Sequence, residues 1–330
     1  MSSLTRLARF PLAAALALGL AGSALAQQKF TFMTNWYAQA EHGGYYQALA
    51  SGAYKAAGLD VSIRMGGPQV NTLQMMAAGQ ADCIMGSSDT QVLKIREQGI
   101  PAVTIATIFQ KDPQGLTANP DTKRIEELKG RTILISTSAR NTYWPWLKAT
   151  FGFTEDQARP YAFSLAPFIQ DKSIALQGYV TFDPYAVKSQ TGMDPSFFLF
   201  ADLGWPPYAN TVVCMEQTLR EKPQMVSAFL KASLEGWKSY LAGDRAAANA
   251  LIKKDNPQMN DGQMEFAVKT MQERGMVTGG DAARGGIGTI TPERLKKTYD
   301  FLVGAKLLDP KVDLAASYDT RFISAIKVMP

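Results

Sequence analysis

Histidine and cysteine are scarce in this sequence: His42 stands alone, and Cys83 and Cys214 are the only cysteines. Such a set falls short of the usual zinc ligand count, so neither a metal nor a cofactor is expected. A strong charge of one sign is also missing. Basic residues number 34 against 29 acidic, and leaving out Arg6 and Arg9 brings this to 32 against 29. With no Lys/Arg cluster on one face, a nucleic-acid partner is excluded. No segment after the first residues is long and apolar enough to span a membrane. The glycines between 279 and 288 lack both the Gly-Lys-Ser/Thr ending and the G-x-G-x-x-G spacing of a nucleotide loop. They read as a flexible surface loop.

The start is more informative. Arg6 and Arg9, an apolar run over 10–20 and then Ala24-Leu25-Ala26 are the three parts of a secretory signal. Cleavage is expected after Ala26, with the product in a bacterial periplasm. That compartment permits one disulfide. Both cysteines, however, lie in apolar strand-like runs, 81–85 and 211–215. Buried free thiols are the plainer reading, and a Cys83–Cys214 pair is the alternative.

Strand and helix patterns alternate along the chain. Strands are expected at 30–34, 59–64, 81–85, 102–109, 132–136, 197–201 and 211–216. Helices are expected at 41–57, 70–78, 89–98, 125–129 and 143–151, followed by an amphipathic helix over 223–241. Thr154 and Gln157 have the spacing of a capping box, and Pro292 suits a first helical turn. This pattern gives an α/β fold of two lobes, each a mostly parallel sheet flanked by helices. Breaks near 110–118 and 207–210 divide it. Residues 1–26 are the signal, 27–113 begin lobe 1, 114–210 form lobe 2, and 211–330 return to lobe 1 with C-terminal helices.

Candidate chemistry gathers where strands run into helices, the place open α/β sheets put ligands. Asn35-Trp36-Tyr37 offers an amide and a stacking face. Gly43 and Gly44 let a ligand or another backbone approach a helix start. Tyr45 lies on that helix, and His42 is near its start. Gly86-Ser87-Ser88 and the stretch 136–142, with Ser138, Arg140 and Thr142, place hydroxyls at further helix starts. Arg140 either clamps an anion or lies solvated. Tyr179 and Asp183 set a carboxylate beside aromatics; an Asp-Pro turn is the simpler alternative. Trp205-Pro206-Pro207-Tyr208 is either a rigid linker or an aromatic wall.

TNWYAQAEHGGYYQALASGAYKAAGLDV, MAAGQADCIMGSSD, IEELKGRTILIS, GYVTFDPYA and the helix starting at Glu221-Lys222-Pro223 occur in that order. Together they resemble the periplasmic substrate-binding proteins of ABC importers in the nitrate, sulfonate, taurine and thiamine-pyrimidine class. The resemblance implies a type II periplasmic-binding-protein fold that closes on a small solute. It also implies a monomer that delivers its ligand to an inner-membrane permease driven by a cytoplasmic ATPase. Asn35-Trp36 resembles the members that bind thiamine-type pyrimidines, where the Trp stacks on the ring and acidic groups meet its amine. On that likeness Asn35, Trp36, Gly86, Ser87, Ser88, Ser138, Tyr179 and Asp183 carry the ligand; His42, Tyr45, Arg140 and Thr142 complete the candidate set. The expected ligand is a small planar nitrogen heterocycle, with a pyrimidine or another flat ring such as a flavin left open. An alkyl sulfonate held by Arg140 is the alternative. An enzyme using His42 as acid and base is a third reading. The cysteine-rich segment of the related eukaryotic pyrimidine synthase is missing here.

Overall fold

The computed structural model describes residues 27–330, so the export-signal reading of residues 1–26 lies outside the described residues. The first sheet contains β1 (Gln28–Met33), β2 (Leu59–Arg64), β3 (Cys83–Ser88) and β4 (Ala102–Phe109). The second contains β5 (Gln114–Ala118), β6 (Ile133–Ile135), β7 (Ala158–Pro160), β8 (Ala175–Tyr179) and β9 (Ser196–Leu199). Strand β10 (Ala209–Met215) returns to the first sheet. The strand orders are β2-β1-β3-β10-β4 and β7-β6-β8-β5-β9. Helices cover the sheets, and β4 is accordingly buried along its whole length.

One strand in each sheet runs against the rest. β10 is antiparallel to β3 and β4, and β5 is antiparallel to β8 and β9. This reversal brings the start of one strand beside the ends of others. Ala209 opens β10 opposite Ser88 at the end of β3. Gln114 opens β5 opposite Tyr179 at the end of β8. These two sheet edges supply the two walls of a cleft.

The chain crosses between the sheets after Phe109 and again before Ala209. Arg294, in helix Pro292–Gly304, holds both crossings. Its guanidinium donates to the Gln110 carbonyl and, at 3.5 Å, to the Pro206 carbonyl. It also lies 4.0 Å over the Tyr208 ring. Trp205 is buried against Trp146 and Tyr208 under Arg294, so both aromatics belong to the core and neither lines the cleft.

The cysteines correct the free-thiol reading. Cys83 and Cys214 form a disulfide, and no free cysteine remains. They are direct cross-strand partners of β3 and β10, with Cα atoms 4.3 Å apart. An apolar setting suits a buried thiol and a buried disulfide equally. Only the pairing of two strands 131 residues apart in sequence separates the two.

Two glycine clusters also read differently in three dimensions. A Cβ on Gly44 would overlap the Trp237 ring, and one on Gly236 would overlap the Gly44 carbonyl. Gly43 and Gly44 therefore admit helix Pro223–Ala242 against helix Gly43–Ala50, which is the approach of another backbone. The amphipathic stripe Val226, Phe229, Leu230, Ser233 and Trp237 is buried as its spacing requires. Residues 286–288 are not a loose surface loop. The Gly288 carbonyl accepts from Thr107 N at 3.0 Å, and Gly286 packs on Val328. Among the described residues no helix is long and apolar enough to cross a membrane.

Candidate functional site

β1 runs straight into Thr34, Asn35 and Trp36, and Thr34 Oγ1 ties this turn by donating to the Trp36 carbonyl at 2.8 Å. Trp36 is therefore set at the carboxyl edge of the first sheet. It lines a cleft between the sheets, at the edge where open α/β sheets place ligands. Across the cleft its ring lies nearly parallel to Tyr161, with centroids 6.2 Å apart and planes 18° from parallel. Phe163 meets Trp36 edge-on at 5.9 Å. Phe163 has φ 56°, a conformation that a bulky side chain rarely adopts. Such strain costs on the order of 1–3 kcal/mol and tends to persist at ligand clamps.

The polar wall starts with Asn35. Its Oδ1 lies 3.1 Å from His42 Nε2, while its Nδ2 donates to Ser87 Oγ and Asn210 Oδ1 at 3.3 and 3.4 Å. Its donors and one acceptor site are thus occupied within the protein. His42 is 1% exposed, and burial pushes its pKa down to about 3. The ring is neutral, and it orients Asn35 from behind the cleft wall. A proton shuttle needs a group that titrates near the working pH, which this histidine does not.

Asp183 opens helix Asp183–Thr191, with Pro184 in its first turn. Its Oδ2 accepts from Tyr179 N at 2.7 Å, and Oδ1 has no partner although the residue is 3% exposed. Burial is the main cause that pushes its pKa up to about 8, with the Glu41 charge adding to it. Gly178 beneath it has no room for a Cβ, which would meet the Asp183 carboxylate. Gln39 Oε1, also on the cleft wall, is a second buried acceptor without a partner. Glu41 is fully buried and bonds Thr181 across the lobes; burial pushes its pKa up to about 6. Ser87 Oγ also bridges the lobes, lying 3.0 Å from Ser138 Oγ.

Asn35, Trp36, Ser87, Ser138, Tyr179 and Asp183 thus line the cleft. The other sequence candidates lie elsewhere. Tyr45 is in the core against Phe32, Phe229 and Trp237. Gly86 packs on Thr211 of β10, and Ser88 bonds Thr90. Thr142 donates to the Ser138 carbonyl at 3.0 Å and so holds that turn. Arg140 pairs with Glu155 and the Ala158 carbonyl at the surface, outside the cleft lining. The lining residues that sequence reasoning missed are Gln39, Gln114, Tyr161, Phe163, Gln177, Gly178 and Phe182, while Ser136 belongs to the hydroxyl stretch 136–142. Most follow short or unrecognised strands; Tyr161 comes directly after the three-residue β7. Among the described residues no group of three or more acidic, His or Cys side chains is set to hold a metal.

The NMT1/THI5-like family model matches residues 39–247. The chain belongs to the NMT1/THI5-like family. Among curated relatives, riboflavin-binding protein RibY of Chloroflexus aurantiacus is 25% identical over 306 residues, covering 90% of this chain and 86% of its own. The formylaminopyrimidine-binding protein of Halalkalibacterium halodurans is 25% identical over 229 residues, covering 67% and 68%. The periplasmic aliphatic sulphonate binding protein SsuA of Escherichia coli shares the fold with TM-score 0.60, at 14% identity over 88% of this chain and 91% of its own. The desulfurization enzyme DSZB shares it with TM-score 0.55, at 16% identity over 90% and 98%. This member of the NMT1/THI5-like family therefore has the periplasmic-binding-protein fold, a scaffold that hosts both binders and an enzyme.

Proposed function

We propose that this protein is the extracytoplasmic solute-binding component of an ABC importer, and that it binds without catalysis. Its ligand is a small planar nitrogen heterocycle that carries N–H donors. The observation that supports this is the pairing of the Trp36, Tyr161 and Phe163 rings with two buried acceptors, Asp183 Oδ1 and Gln39 Oε1, that lack partners. A flat ring stacks on the aromatics as the lobes close, and its N–H edge satisfies the acceptors. The relatives named for riboflavin and formylaminopyrimidine agree with that class. A sulfonate fits less well, because the cleft lining contains no lysine, arginine or histidine. The partner is then an inner-membrane permease with its ATPase, and the site of action is the periplasm.

Trp36→Ala should weaken binding of the heterocycle at least tenfold, since the lost stacking is worth about 1 kcal/mol or more beyond the buried area. Calorimetric titration reads this directly. Equal affinity in wild type and variant would sink the assignment.

A further inference from the structure

Next to the aromatic cleft is a second cavity, open to the surface. The two share Asn35, Ser87 and Ser138 as lining residues. What divides them is thin. Ser87 Oγ lies 3.0 Å from Ser138 Oγ, Gln91 Nε2 donates to Ser138 Oγ at 2.9 Å, and Ser87 N donates to Gln91 Oε1 at 2.7 Å. Ser87 and Gln91 belong to the first lobe and Ser138 to the second. The partition is therefore a contact between lobes, and a ligand that occupies both cavities has to part it.

The second cavity has its own chemistry. Leu73 and Ile95 give it a buried apolar wall. Thr72 and Gln91 are buried polar groups on that wall, while Gln74, Gln98 and Asn141 are exposed at the mouth. Each amide can both donate and accept, as a chain of hydroxyls requires. The one cation on the lining is Lys94, whose ammonium is paired with Glu97 and donates to the Leu307 carbonyl at 2.9 Å. No unpaired positive charge lines the cavity to meet an anion.

We infer that the second cavity is a subsite for a neutral, hydroxyl-bearing chain attached to the flat ring, with Ser87 and Ser138 flanking the neck between ring and chain. This rests on the proposed heterocycle site and narrows its substrate class. The ligand is a two-part molecule with a planar head and a polyol tail, and a bare pyrimidine would leave the second cavity unused.

The test is calorimetric titration of the full chain with four probes. These are lumiflavin, the flavin ring with a methyl in place of the chain; riboflavin, the ring with a neutral pentitol; flavin mononucleotide, with a phosphate added; and 4-amino-5-aminomethyl-2-methylpyrimidine. Riboflavin should bind at least tenfold tighter than lumiflavin and the pyrimidine, and the phosphate should add nothing. Asn141→Trp, at the exposed mouth, should cut the riboflavin-to-lumiflavin ratio several-fold. Lumiflavin or the pyrimidine binding as tightly as riboflavin would overturn the tail subsite and leave the heterocycle site standing. A mononucleotide tenfold tighter than riboflavin would overturn the neutral character of the cavity. No binding by any probe would reject the heterocycle site, and the subsite with it.

Discussion

Reducing the Cys83–Cys214 disulfide should lower folding stability by about 4 kcal/mol, in line with closure of a long loop. The bridge closes a loop of sequence separation 131, and that loop contains every strand of the second sheet. Without it the unfolded chain regains the freedom of the whole loop. The bridge also fixes β3 against β10. Those strands carry Ser87 and Asn210, the two groups to which Asn35 Nδ2 donates. Denaturant unfolding with and without reductant measures the effect. A Cys83→Ser/Cys214→Ser double variant should match the reduced wild type and ignore the reductant. Equal stability of oxidised and reduced wild type would refute the expectation.

The second large effect concerns Asp183 and pH. Its carboxyl is raised from 3.8 to about 8, chiefly by burial. The folded protein therefore keeps a proton that the unfolded chain releases between about pH 4 and 8. Rising pH through that window destabilises the unliganded protein. A ligand N–H at Oδ1 favours the carboxylate, so binding below pH 8 must expel the proton. For a ligand that does not itself titrate there, affinity should climb by up to about tenfold per unit from pH 6 to 8 and level off above. Asp183→Asn should flatten the profile, and Asp183→Ala should cost tenfold or more at pH 8. A flat profile in the wild type would contradict the role given to this carboxylate.

Much of the fold was legible from the sequence. β2 is bounded residue by residue through its apolar/polar alternation and β4 through its mostly apolar run, and helix Tyr143–Phe151 shows its inward Trp144 and Leu147 directly. β5 and β8 escaped because Gln114-Gly115 and Gln177-Gly178 interrupt their apolar pattern. β7 escaped because it has three residues and ends in proline. The same gap explains the half of the cleft that was not foreseen. Trp36 and Ser87 sit at junctions the pattern reveals, and Asp183 is marked by its Asp-Pro step beside aromatics. Tyr161, Phe163 and Gln177 follow from strands it hides. Gln39 Oε1 stands out only through its burial without a partner, a property of the folded cleft. Register likewise paired the cysteines, which composition and compartment left ambiguous.

The cleft is proposed to hold a flat heterocycle with N–H donors. A thermal-shift comparison tests it most directly, because a ligand of the folded state raises the melting temperature by mass action. Riboflavin or an aminopyrimidine should raise it by several degrees, and taurine should leave it in place. A rise with taurine and none with either heterocycle would contradict the account.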